Sequence, residues 1–321
     1  MTIRAVQAGA TGGFVAALRC RRLWAAAALA AVGVYFSVNS SDGEVVEEGP
    51  GPSAHAANVV PPVRILNVAL SPTPTGASNS VGGAAVGPTE EESIAEAHRL
   101  IGLARDRYKS IRDYSCDFHK RERIDGKLNR PHVMYMKART QPSSIYFKFV
   151  KPNRGREAIF IEGRNDGRLL AHDVGLGKLF GGTMWLDPNG SMAMVENRHP
   201  VTEAGLGNLI TTVAERWRIE LTPEVSDVTI VLDQRIDGRV CTLVDSTHPV
   251  RRPDFFFHKV RVYFDQETNL PIRFESYDWP SEGKGEPSLL EEYTYSNLRT
   301  DLGLTDRDFD SGNPEYSFGR F

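Results

Sequence analysis

Two short runs between residues 257 and 278 constrain the fold of this chain more than anything else in it. In the first, Val260, Val262 and Phe264 alternate with Arg261, Tyr263 and Asp265; in the second, Ile272 and Phe274 alternate with Arg273 and Glu275. Successive side chains of a strand point to opposite faces, so the spacing predicts a hairpin with Val260, Val262, Phe264, Ile272 and Phe274 on one apolar face. Residues 266–271 carry turn chemistry, and Pro271 fits only where the ladder needs no N–H. The expected setting is antiparallel sheet, with one face on a core or cavity and the other toward water.

The same two-residue period recurs upstream. Tyr114, Cys116 and Phe118 alternate with Ser115, Asp117 and His119, and Asp125-Gly126 marks a hairpin before a return strand over 133–138. Further strands are predicted over 144–150, 158–162, 168–172, 228–232, 240–244 and 289–295, with turns at residues 165–167 and at Asp237-Gly238. Two segments carry helical spacing instead. Thr89 and Glu92 form a capping box ahead of Ile94, Ala97, Ile101, Ala104, Tyr108 and Ile111. Residues 202–218 place Leu206, Leu209, Ile210, Val213 and Trp217 on one side, although Gly205 and Gly207 predict a loose first turn. Helix and strand do not alternate as a doubly wound sheet requires, so residues 89–321 read as one mainly β (α+β) domain. Its expected form is a curved antiparallel sheet or half-barrel with about two packing helices.

The N-terminal part differs in kind. Residues 1–22 hold Arg4, Arg19, Arg21 and Arg22 and no acid, and residues 23–38 run without a charge. A basic stretch followed by an apolar one is an export signal. Residues 23–38 are either a retained signal anchor or the core of a signal peptide cut after Ser40, with Val38 and Ser40 as the small residues. In both cases the positive-inside rule sends the remainder outward, in the anchored case as an inner-membrane protein with its domain in the periplasm or an equivalent compartment. Residues 39–88 are rich in Pro, Gly, Ala, Ser and Thr and read as a disordered tether.

Chemistry is sparse. A net charge of −3 gives no bulk attraction for nucleic acid. Three cysteines make no disulfide framework, although a Cys116–Cys241 bridge is open to an exported domain. None of the eight histidines has zinc spacing, and no cofactor motif is present. The glycines at 175–182 lack phosphate-loop spacing, and Ser281 with Lys284 matches S-x-x-K outside its helical context. Asp306, Asp308 and Asp310 open like a calcium loop, but Ser311 and Ser317 occupy its glycine and glutamate places. The basic run 119–123 reads as a solvated face or edge protection, with contact to anionic headgroups as the sharper option. His172-Asp173 is the one nominee for acid–base work, against a structural pair.

Residues 155–161, 165–172 and 185–190, with 263–273 and 291–295, resemble a bacterial family known as the domain of unknown function numbered fifteen seventy-one. More loosely, the layout is similar to periplasmic lipoprotein carrier and sorting proteins and their sensor relatives. That likeness implies a half-barrel whose hollow is covered by helices and holds acyl chains. Its apolar lining would be Val260, Val262, Phe264, Ile272, Phe274 and Trp217, with residues 202–218 as cover. Arg156, Glu157, Asn165 and His172 fall in the stretches that carry the resemblance, and with the adjoining Asp173 they are the polar candidates. The expected function is a non-enzymatic binding module for a lipid, acyl chain or lipoprotein-like ligand. An envelope sensor or interaction protein with a packed core is the alternative, and a hydrolase ranks third. A retained anchor would favour a tethered receptor over a shuttling carrier.

Overall fold

The computed structural model describes residues 88–174, 182–280 and 285–319. The export segment 23–38, the tether up to residue 87, glycines 175–181 and the S-x-x-K at 281–284 lie outside the described residues. Among the described residues no helix is long and apolar enough to cross a membrane.

Twelve strands are described. They are β1 (Asp113–Ile124), β2 (Lys127–Leu128), β3 (His132–Arg139), β4 (Ser144–Lys151), β5 (Glu157–Ile161), β6 (Leu169–His172), β7 (Thr183–Leu186), β8 (Asp227–Ile236), β9 (Arg239–Thr247), β10 (Lys259–Asp265), β11 (Pro271–Asp278) and β12 (Ser288–Thr300). They form one open sheet in the order β7-β6-β5-β4-β3-β1-β12-β11-β10-β9-β8, with β2 hydrogen-bonded to β1. Every pair is antiparallel, as the run of hairpin signals predicts. Strand direction therefore alternates, and β1, β4, β6, β9 and β11 end where β3, β5, β7, β8, β10 and β12 begin; we call this side the near rim.

Three α-helices are described, α1 (Glu90–Lys109), α2 (Ser191–Met194) and α3 (Leu206–Glu220). The capping box at the start of α1 is formed, with Thr89 Oγ1 accepting from Glu92 N–H and Glu92 accepting from Thr89 N–H. Glu90 also accepts from Val228 N–H on edge strand β8, which places the start of α1 at the near rim. Ile94, Ala97, Leu100, Ile101 and Ala104 of α1 and Leu206, Ile210, Val213 and Trp217 of α3 are buried against one face of the sheet. Tyr114, Cys116, Phe118, Met134, Met136, Ala138, Val262 and Phe264 meet them there. Each Leu, Ile, Val, Phe or Met among them contributes about 1.5–3 kcal/mol on leaving water, so this inner face is the principal core.

The outer face holds two smaller clusters. Tyr146, Ile159, Ile161 and Leu170 lie under Phe309 and Phe318 of the C-terminal segment. Asp113 fixes the start of that segment by accepting from the backbone N–H groups of Leu302, Gly303 and Leu304. Cys241, Leu243, Tyr263 and Ile272 form the second cluster.

Ile272 thus leaves the group predicted for it. The β10–β11 register steps from Tyr263↔Arg273 to Phe264↔Pro271, and the bulge turns Ile272 to the outer face while Phe274 stays inside. The cysteines are likewise divided, Cys116 in the inner core and Cys241 outside, and both are free. β12, β11 and β10 intervene between their strands. At roughly 4.8 Å per strand that is about 19 Å, well beyond disulfide reach.

The first turn of α3 is anchored rather than loose. Residues 201–203 form a separate 3₁₀ turn, Gly205 caps α3 at φ +100°, and Leu206 N–H donates to the Tyr114 hydroxyl. A Cβ on Gly207 would stand 2.7 Å from Cε1 and from the hydroxyl of Tyr108, so α1 and α3 approach through a bare backbone. Gly207→Ala should cost about 1–3 kcal/mol in urea unfolding, as overpacking does. Gly102→Ala, on α1 with nothing within 4 Å of the added atom, should instead stabilise by about 0.5–1 kcal/mol through helix propensity. Equal effects of the two variants would refute this account of the contact.

Candidate ligand groove and its buried ion cluster

At the near rim the inner face changes character. On β1 the inward positions run Tyr114, Cys116, Phe118 and then Lys120 and Glu122, while on β12 they run Tyr295, Tyr293 and then Glu291. Ser276 continues Phe274 on β11, and His132 continues Met134 on β3. Period-two alternation thus delivers charged groups to the same face as the core. Glu122 and Glu291 are 3% and 2% exposed, and an unmatched carboxylate there would cost several kcal/mol.

The match comes from the segment between α2 and α3, which crosses this end of the sheet. Glu291 accepts from His199 Nε2 at 2.7 Å, Ser276 Oγ at 3.1 Å and Arg198 Nε at 3.3 Å. Glu122 accepts from the Tyr293 hydroxyl at 2.6 Å, Arg198 N–H at 3.0 Å and Lys120 Nζ at 3.1 Å. Lys120 also donates to Glu196 O and to the Asn197 side chain. Arg156, over the Phe149 ring, extends the cluster by pairing with Asp173 at 2.9 Å and Glu196 at 2.7 Å. His132 lies edge-on to Phe149, and its buried Nδ1 has no hydrogen-bond partner.

Electrostatics follow the geometry. Burial opposes the charge on His199, but its bonds to Glu203 and Glu291 and attraction to Glu291 and Glu122 prevail and raise its pKa to about 10. Burial likewise opposes the charge of Glu291, and His199 and Arg198 outweigh it, holding the carboxyl below its usual range. Burial and then Lys120 push His132 down, so it is the weaker base of the two histidines.

Beside this cluster runs an open groove of about 470 Å³. Arg123, Ile124 and Asp125, at the end of β1, form one wall; Ser191, Met194 and Val195 of α2 and its C-terminus form the other; Asn197 and Arg198 form the floor. Met192 and Val195 are more than half exposed at its edge. Arg198 is held from behind by Glu291 and by the carbonyl of Arg123. The groove therefore offers a fixed guanidinium near three apolar side chains, Ile124, Met194 and Val195, set among the polar Arg123, Asp125 and Ser191.

The predicted site residues are distributed as follows. Val260, Val262, Phe264, Phe274 and Trp217 are inside the inner core, where the Trp217 and Phe264 rings are 6.2 Å apart. Arg156 and Asp173 join the rim cluster, but Glu157 and His172 face outward as register partners. Glu157 accepts from Ser317 N–H, and His172 Nδ1 meets Thr183 Oγ1. Asn165 lies at an exposed turn with φ +55°. Neighbouring strand residues point oppositely, which is why His172 and Asp173 do not form a pair. The basic run at 119–123 belongs to β1, an interior strand rather than an edge, and Lys120 and Glu122 point inward from it. Asp306 and Asp308 are ion-paired to Arg139 and Lys137. Among the described residues no group of His, Cys, Asp and Glu is arranged to hold a metal ion.

A second constellation was not predicted. Ser226 Oγ lies 3.1 Å from His248 Nδ1, and His248 Nε2 lies 3.6 Å from Glu220. All three residues are buried, and the serine proton is donated to the Glu220 carbonyl. The Val225 carbonyl, 3.2 Å from His248 Nδ1, can only accept, so Nδ1 carries the hydrogen and cannot act as a base toward Ser226. This group fastens the end of α3 to the β9–β10 loop.

His199 generates a pH prediction. A pKa raised from 6.5 to about 10 gives stability that is complete below pH 6.5 and lost as pH rises toward 10. The unfolding free energy should fall by up to about 1.4 kcal/mol per pH unit across that window. His199→Gln should be less stable at pH 6.5 and should lack the slope between pH 7 and 8.5. A wild-type protein with no slope there would contradict the assignment.

No curated protein sequence matches the chain. Among solved structures, the Mycobacterium tuberculosis lipoprotein LppX is similar at 14% identity over 67% of this chain and 99% of its own, with a TM-score of 0.40. The MucA/MucB complex of Pseudomonas aeruginosa is similar at 16% identity over 68% of this chain and 61% of that one, with a TM-score of 0.38. A LolA superfamily protein of Nitrosomonas europaea gives 12%, 67% and 97%, with a TM-score of 0.27. Likeness at this level concerns the course of the chain and no more. Residues 111–318, well over half of the sequence, match the family described as Protein of unknown function (DUF1571), and the chain belongs to that family.

Proposed function

We propose that this chain is an exported, non-enzymatic binding module for an amphiphile of lipid or lipoprotein type, received at the near-rim groove. One observation carries the reading: the groove sets Ile124, Met194 and Val195 beside Arg198, whose orientation is already fixed by Glu291. An anionic head group would meet that guanidinium, and the first methylenes would lie on Ile124, Met194 and Val195. Four to six methylenes there gain roughly 3–5 kcal/mol before association costs, too little for tight binding. A longer acyl chain would therefore continue onto the inner face, past Tyr293, which stacks on Phe118 and Phe274. In the described state α1 and α3 fill that face, so deep binding requires α3 to move away from Val260, Val262, Phe264 and Phe274.

Export is part of the proposal and rests on Arg19, Arg21 and Arg22 ahead of the uncharged residues 23–38. If that segment is retained, the module is anchored in the inner membrane; if it is cut, the module is mobile. A second reading, an envelope interaction protein with a permanently packed core, is favoured by the complete burial of Val262 and Phe264.

Native mass spectrometry of the full chain, taken from membranes in mild detergent, distinguishes the two. Binding predicts a co-purifying acyl ligand and displacement of a fluorescent fatty acid. Val195→Asp, at a side chain 69% exposed, should weaken that binding at least about tenfold while leaving urea stability near wild type, since such surface changes lie within about 0.5 kcal/mol. A consistently lipid-free protein that displaces no probe would leave only the packed-core reading.

A further inference from the structure

The groove is not the only feature of the near rim. The loop between β9 and β10 and the last turn of α3 form a second surface there, and nothing in the binding role described above uses it. Val250 is 67% exposed, Ile219 52% and Phe256 37%. Arginines separate these apolar side chains. Arg216 lies over the Phe256 ring at 4.2 Å and donates to Asp254 O, which joins α3 to the loop. Arg252 lies over Phe255 at 5.2 Å, and Arg251 over Trp279 at 5.2 Å. Phe255 in turn stacks on buried His248 at 4.1 Å, so the loop has a fixed shape.

We propose that this surface docks on an anionic lipid bilayer, with Val250, Phe256 and Ile219 at the headgroup boundary and the arginines among the lipid phosphates. Charge favours this partner. Arg216 pairs with Glu220 and Arg252 with Asp254, whereas Arg218 and Arg251 have no ion-pair partner among the described residues. Arg216, Arg218, Arg251 and Arg252 outnumber Glu215, Glu220 and Asp254 on these two elements, so the surface is net positive on a chain that is net negative. The composition favours it as well: Arg216, Arg251 and Arg252 lie over Phe256, Trp279 and Phe255, and exposed Val250 and Ile219 adjoin Arg251 and Arg218 in sequence, the aromatic, cationic and aliphatic mix of an interfacial segment.

The test must exclude binding through residues 23–38, and a local probe does so. In the full chain carrying Cys20→Ser, Cys116 and Cys241 are buried, so Val250→Cys takes a single environment-sensitive nitrobenzoxadiazole label. Leu302→Cys, beyond the end of β12 at the opposite rim, is the control. With phosphatidylcholine vesicles containing phosphatidylglycerol, the label at 250 should shift to the blue and gain intensity severalfold. The response should be absent with phosphatidylcholine alone and reversed by high salt. Arg251→Glu with Arg252→Glu should abolish it, and Arg251→Gln should reduce it, with circular dichroism unchanged. No response at 250, an equal response without phosphatidylglycerol, or an equal response at 302 would overturn the proposal. Those outcomes leave the acyl-ligand measurement unaffected, so the two ideas fail separately.

Discussion

An open antiparallel sheet with an apolar inner face does not persist in water unless something covers that face, and the described unit is built around that need. α1 and α3 provide the cover, and they reach the sheet by different means. α1 is held by its own stripe of Ile94, Ala97, Leu100, Ile101 and Ala104 and by Glu90 on the edge of β8. α3 is held at both ends: at its start by the Tyr114 hydroxyl and the bare backbone at Gly207, and at its finish by Glu220 and the His248–Ser226 group. The cover is thus clamped at the two rims and packed along the middle.

The ion cluster solves a second problem created by the first. Strand alternation continues to the end of the sheet, so Lys120, Glu122 and Glu291 arrive on the same inner face as the core. Replacing such a set with apolar groups often stabilises a protein, so keeping it costs stability that a purely structural rim would not need to give up. What the cluster achieves is placement: Arg198 and His199 hold the crossing segment in one position, and the groove wall at Met194 and Val195 follows from it. His199 can act beside Arg198 as a charged clamp because its charge persists through neutral pH.

Much of the architecture was legible in the sequence because strand parity and turn residues are local signals. The capping box at Thr89, the turns at Asp125-Gly126 and Asp237-Gly238, and the inward positions of Val260, Val262, Phe264 and Phe274 need no long-range information. Ile272 was misplaced because a bulge is set by how two strands meet, and one extra residue reverses a side chain. The rim cluster was missed although its signal was present: Lys120 and Glu122 share the parity of Tyr114, Cys116 and Phe118, and Glu291 shares that of Tyr295. A charge on core parity has to be matched, but the partners, Arg198 and His199, lie about 75 to 90 residues away, and only the fold brings them together. The same parity rule, applied to His172 and Asp173, would have separated them.

The placement of the two thiols on opposite faces of the sheet bears on how such a protein matures. Nothing in the described unit waits for oxidation: both sulfurs are enclosed by packing, and no sulfur–sulfur bond closes a loop. The described unit is therefore the same in a reducing and in an oxidising compartment, and it needs no thiol oxidase or isomerase to finish it. The price of that independence is that the described unit is held by non-covalent contacts alone, so a breach of the helix cover is not buffered by any disulfide.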